Sequence, residues 1–289
     1  VWCRQGLGVL SASAVKLLPL RLPPRGDFVT LPATTMKLCL LACNVFLREA
    51  CHCLVRSPHV IDPLFLELGK HARPDGLRTM LQAKIDECSA APRGYDAICL
   101  LYGLCGNATN GLVARSIPLV LPRAHDCCTV LLGSKQRFRE LFGDNPSTPF
   151  SSVGYAERGD YYLRLDDGMP TVHCGDAYAD LVARYGEENA RYVWETMHPA
   201  GAAASHKAVF IEFDETAQLG LAERVRQQAE QEQKEFTLLR GDVRLIRALL
   251  EGAWAAEDFL IVPPGQAVAA VYDWDIIVRA EPLPGGVPC

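Results

Sequence analysis

The stretch Met36-Lys37-Leu38-Cys39-Leu40-Leu41-Ala42-Cys43-Asn44 decides how the chain is read. From Met36 to Ala42 it is a short, almost continuously apolar run, which suits a strand covered on both faces. It stops at Cys43-Asn44. A helix is expected next, with Val45, Phe46, Ala50 and Leu54 near one face and Arg48 and Glu49 on another. Strand, loop, helix is the pattern that the rest of the chain repeats with variations.

Working outward, residues 95–102 (YDAICLLY) form a second apolar run, closed by Gly103-Leu104-Cys105-Gly106-Asn107. Residues 117–121 (IPLVL) form a third, closed by Pro122-Arg123-Ala124-His125-Asp126-Cys127. Residues 64–68 and 77–85 read as helical, broken by Pro58, Pro63 and Pro74, and one helix is expected over 129–142. A crossover over 144–167, with a hairpin at 161–165, leads to a helix over 176–197. Strands then return at 208–213, 236–239 and 259–262, separated by a polar helix over 219–235 and another reaching Leu250.

Apolar strands alternating with helices predict an α/β fold: mainly parallel sheets with helices on both faces, in two Rossmann-like lobes around a cleft. The first lobe is expected over 36–150, the crossover and its helix over 151–206, the second lobe over 207–280 and a tail over 281–289. Residues 1–35, with the run LLPLRLPP and no useful period, read as disordered or as an upstream start assignment, with Met36 the functional start.

The 289 residues are 49% hydrophobic and 22% charged, with a formal net charge of −5 and no dense Lys/Arg cluster, so nucleic acid is a poor expectation. No stretch is apolar for long enough to span a membrane, and the expected location is the cytoplasm. Twelve cysteines are many for this size, yet they follow no stapling rhythm. Cys39, Cys88 and Cys99 lie in apolar or helical surroundings and read as inert core thiols.

In open α/β sheets ligands bind beyond the carboxyl ends of the strands, where Cys43, Cys105 and Cys127 stand, each after a different strand. Thiolates are soft ligands and imidazole a borderline one, so Cys43, Cys105, His125 and Cys127 together predict zinc, or an iron or iron–sulfur site with one non-sulfur ligand. Thiol catalysis, redox chemistry and purely structural thiols are the rival readings. Gly103, Gly106 and Asn107, with Gly111, form a loop able to cradle an anion or cofactor edge, or simply a turn from strand to helix. Ser134, beside Lys135 and Arg137, offers a second anion position or only a solvated helix face. Asp126 orients His125 or caps the following helix. Cys128 reads as core, Cys51-His52-Cys53 as helix surface or core, His173-Cys174 as an exposed pair, and Asp242 as an N-cap before an acid or base.

These motifs resemble a known family. Ala42-Cys43, Tyr102 to Asn107, Pro122 to Cys127 and Leu132-Gly133-Ser134 are similar to motifs of the domain of unknown function 1638. So are Tyr185-Gly186-Glu187, Arg240-Gly241-Asp242, and Asp258-Phe259 leading to Pro263-Pro264-Gly265, with the resemblance running from about Met36 to near Ile277. Its members occur in methanogens, other anaerobes and bacteria that use corrinoid-dependent methyl transfer. The resemblance therefore implies one-carbon metabolism, with a small thiol or methyl donor as substrate and a corrinoid protein as partner. An accessory protein serving a corrinoid or metallo-cofactor system is the alternative.

Overall fold

The run that opened the reading is β1 (Lys37–Cys43), an inner strand of a five-stranded sheet in the computed structural model, which describes residues 35–66, 74–91, 94–146, 148–158, 187, 207–271 and 273–283. The expected disordered start, the hairpin at 161–165 and the helix at 176–197 fall essentially outside these residues. A short 3-10 turn, Asn44–Phe46, leads from β1 into α1 (Leu47–Leu54). Then follow β2 (Val60–Leu66), α2 (Pro74–Ala90), β3 (Ala97–Leu101) and β4 (Leu119–Pro122). The sheet order is β2-β1-β3-β4-β8, parallel throughout except for β8 (Phe259–Val262), which runs antiparallel to β4.

Both faces of this sheet are covered. Cys39 of β1 meets Cys88 of α2 with sulfurs 3.0 Å apart, and Cys99 of β3 turns its thiol to the Leu249 carbonyl of α7 (Arg244–Leu250). Cys39 pairs with Ile98 and Leu40 with Cys99, so the alternating pleat sends these two cysteines to opposite faces. Burial on both sides explains why every residue of β3 and β4 is buried and apolar.

Beyond β4 come α3 (Cys127–Leu132) and α4 (Lys135–Phe142), then β5 (Phe150–Ser152) and α5 (Val153–Arg158). A second, three-stranded parallel sheet, β5-β6-β7, is completed by β6 (Lys207–Glu212) and β7 (Glu235–Arg240), with α6 (Leu221–Gln231) packed on it. An antiparallel hairpin of β9 (Gln266–Ala270) and β10 (Val278–Pro282) closes the described chain.

Three expectations change. Residues 64–68 were expected to be helical, but 60–66 form a strand; β2 is an edge strand, the place where Pro63 can sit without costing the ladder a donor. The single helix over 129–142 is two helices, because Gly133 adopts a left-handed conformation (φ 73°) and Ser134 caps a new start by accepting from the Arg137 N–H. Residues 259–262, grouped in sequence with a second lobe, pair with β4 and so belong to the first sheet. The mixed, mostly parallel α/β class stands.

Candidate thiol centre at the carboxyl edge of the sheet

Chain order reverses at β1: β2 lies on one side of it and β3 on the other, which makes the ends of β1 and β3 the place where a crevice opens. Cys43 is the last residue of β1, and Cys105 follows β3. Gly103 carries the β3 loop against the β4 loop. A Cβ there would lie 2.7 Å from the backbone N and Cα of Asp126, so only glycine permits the approach. Two backbone hydrogen bonds fix the contact, from Leu104 N to Ala124 O and from Cys105 N to His125 O.

Cys105, Gly106 and Asn107 all have left-handed backbones, with φ of 47°, 63° and 70°. Ala108 N donates to Cys105 O across this reversed turn, and Arg78 braces it by donating to the Asn107 carbonyl. The turn sets the Cys105 sulfur 3.8 Å from that of Cys127, the first residue of α3. Cys43 is close enough to Cys127 for their charges to interact. Tyr155 of α5 hydrogen-bonds to Cys127, and Tyr155 and Tyr102 both feel all three thiols. The structure thus places Cys105 against Cys127, with Cys43 near them, and adds two tyrosines. Among the described residues, no three His, Cys, Asp or Glu side chains yet share one ligating point; Cys43 stands beside the pair.

Burial, then the neighbouring Cys127, pushes the Cys43 thiol well above its ordinary range. Cys105 is pushed up first by its hydrogen bond to Cys127 and then by burial. Both effects oppose placing negative charge in a dry, crowded pocket.

His125 is not brought to the sulfurs. Its ring meets Trp274 edge-on at 5.2 Å and Phe138 at 6.2 Å, and its buried Nε2 has no partner. Burial lowers its pKa, opposed by Asp126 and Asp273. Asp126 is the N-cap of α3, accepting from the Thr129 N–H at 3.0 Å and from the Thr129 hydroxyl at 3.2 Å. Arg123 ties the end of β4 to the carbonyls of Ala256, Ile276 and Val278.

Several of the other candidates have structural partners, whereas the buried Oδ1 of Asn107 has none. Ser134 caps α4. Gly103 is filled by Asp126, and Gly106 lies on the exposed side of its turn. Asp242 accepts from Arg244 N at the start of α7, while its backbone N donates to Leu131 O beside Gly133. Cys128 is 1% exposed, and burial raises its pKa strongly. Cys53 is buried, and its thiol is pushed up to about 11 by that burial. Cys51 is exposed, and His52 pairs with Glu215 at 3.4 Å. His173 and Cys174 lie outside the described residues. Tyr155 went unnoticed in the sequence because its crossover has no apolar period.

No described helix is long and apolar enough to cross a membrane. A family profile described as "Protein of unknown function (DUF1638)" matches residues 65–250, a span that holds Cys105, His125 and Cys127 but not Cys43. No curated protein and no solved structure matches the chain.

Proposed function

The chain belongs to the DUF1638 family, and we propose that in this member Cys105, Cys127 and Cys43 hold a soft metal, zinc or iron, singly or as an iron–sulfur cluster, for thiol or methyl-group transfer. One observation carries the reading: the 3.8 Å separation of the Cys105 and Cys127 sulfurs. Two thiolates on one tetrahedral zinc, each bonded at about 2.3 Å, stand about 3.8 Å apart. Cys43 is the third donor on hand.

The electrostatics supports the same reading. Cys43 and Cys105, held protonated by burial and by a neighbouring thiol, gain most from a cation, which removes the repulsion and the cost of burying charge. A bound metal supplies Lewis acidity and keeps a coordinating thiol deprotonated at neutral pH. The protein's own contribution is positional. Gly103 docks the two loops, the reversed turn aims Cys105, and Tyr155 donates its hydroxyl hydrogen to the Cys127 sulfur from the second sheet's side. A small thiol or a methyl donor, supplied free or on a corrinoid protein, is the substrate class suited to a soft centre.

Anaerobic purification of the full chain with elemental analysis tests this directly, beside Cys43→Ala, Cys105→Ala and Cys127→Ala. The expected result is near-stoichiometric zinc or iron in the parent, lost from the Cys105 and Cys127 variants and diminished in the Cys43 variant. A folded parent that takes up no metal after reconstitution with zinc, or with ferrous ion and sulfide, overturns the proposal.

A further inference from the structure

Five buried side-chain oxygens on two neighbouring segments lack a hydrogen-bond partner outside their own residue: Asn44 Oδ1, both carboxylate oxygens of Glu49, and the hydroxyls of Ser151 and Ser152. Glu49 is 3% exposed, Ser151 1% and Ser152 0%. Buried polar groups are almost always paired, because leaving one unsatisfied forfeits its hydration for nothing. Ser151 and Ser152 are strand neighbours and face opposite ways: Ser151 pairs with Phe210 on the side of α6, whereas Ser152 pairs with Ile211 on the side of the main core. The four atoms of Asn44, Glu49 and Ser152 therefore remain to share one seam, and they call for a partner.

The two segments pack directly. Asn44 and Glu49 lie on the turn after β1 and on α1, while Ser151 and Ser152 end β5 and lead into α5. Gly154 comes so close that a Cβ on it would lie 1.7 Å from the Val45 carbonyl oxygen. Glu49 senses Glu157 and Arg158 of α5 and Arg48 of its own helix, yet hydrogen-bonds to none of them. Arg48 and Arg158 are both engaged with Glu157, so the cations nearest Glu49 are already taken.

The orphaned atoms define the missing partner. Three of these four are acceptors only, the carboxylate pair and the amide oxygen, and the Ser152 hydroxyl accepts as well as donates. The complement is a small group with several N–H donors and a positive charge. We propose that this seam binds a small protonated amine, with Glu49 as its counter-ion and Asn44 and Ser152 completing its hydrogen bonds. The same segments carry Cys43 and Tyr155, so the amine seam adjoins the thiol centre, although the assignment does not depend on a metal being there.

The test is calorimetric titration of the full chain, stripped of metal by a chelator, with methylammonium chloride at pH 8. Potassium chloride and magnesium chloride are the competing cations, and Glu49→Gln and Ser152→Ala the variants. The amide keeps the shape of Glu49 and removes its charge, and thermal melts confirm that both variants fold. Saturable methylammonium binding is expected, weakened at least about tenfold in Glu49→Gln and less in Ser152→Ala. Absence of saturable heat, equal binding of potassium or magnesium, or undiminished binding by Glu49→Gln would each overturn the assignment. Because the chain is metal-free, failure here leaves the thiolate reading untouched, and the reverse holds too.

Discussion

Gly103 lies against the backbone of Asp126, so close that a methyl group on it would fall 2.7 Å from the Asp126 N and Cα atoms. That contact lets Cys105 and Cys127, 22 residues apart in the chain, touch through their sulfurs. The obstacle is main chain fixed by a cap and two hydrogen bonds, so it cannot rotate aside. Gly103→Ala is expected to cost about 1–3 kcal/mol, as overpacking does, and to part the two loops. Urea denaturation reads the first effect. Loss of bound metal from the folded variant reads the second. A variant with parental stability would show that the loops can separate freely.

Cys105 holds a left-handed backbone (φ 47°) that a residue with a side chain adopts only at a cost, on the order of 1–2 kcal/mol. Two truncations of the same thiol therefore differ. Cys105→Gly relieves the strain, and Cys105→Ala keeps it, so the glycine variant is expected to be the more stable by about 1 kcal/mol, while both lose the sulfur. Paired denaturation curves decide it, and equal midpoints would mean that the turn relaxes.

Tyr155 reaches the centre from a segment that sequence did not connect to it, and its hydroxyl bonds Cys127. Removing the oxygen in Tyr155→Phe leaves the sulfurs in place. The expected outcome is retained metal with an affinity lower by about 10–100-fold, as for other groups that orient a metal ligand. Competition with a chromophoric chelator measures this. A cobalt-loaded variant with an unchanged spectrum and affinity would place Tyr155 outside the centre's influence.

What sequence revealed, and what it concealed, follows from how local each signal is. The apolar runs ending at Cys43, Tyr102 and Pro122 are strands because continuous apolar patterning and the turn residues after it are local features. Those ends bring the Cys105 sulfur to that of Cys127, with Cys43 nearby. The spacing of His125 and Cys127 misled, because Asp126 caps a helix between them. The chain passes from extended at Asp126 to helical at Cys127, so the imidazole goes to Trp274 and Phe138. Trp274 is far along the chain, and no local pattern announces that meeting. Pro63 hid β2, since proline in an apolar run reads as a break unless the strand is at an edge. The pairing of β8 with β4, and the seam between Asn44 and Ser152, are likewise non-local.

Glu49 gives the clearest pH signature among the described residues. Burial is the first cause of its raised pKa, from an ordinary 4.5 to about 7; a hydrogen bond from its own backbone N–H opposes it, as do Arg158 and Arg48, while Glu157 adds to it. A carboxyl whose folded pKa exceeds its unfolded one favours folding in the protonated form. Its contribution is fully present below pH 4.5, is lost progressively as pH rises from there to 7, and is absent above. At 1.36 kcal/mol per unit the whole swing is on the order of 3 kcal/mol, to be read as an upper figure. Glu49→Gln lacks this titration. Relative to the parent it is expected to gain stability between pH 5 and pH 8, approaching a plateau above about pH 7. Denaturation midpoints of both proteins at pH 5, 6, 7 and 8 test the slope. Parallel curves would mean that Glu49 is solvated or paired in solution. A reversed trend would mean that its carboxylate is already satisfied by a cation. If the seam takes an amine, added methylammonium flattens the parent's falling curve and leaves that of Glu49→Gln unchanged.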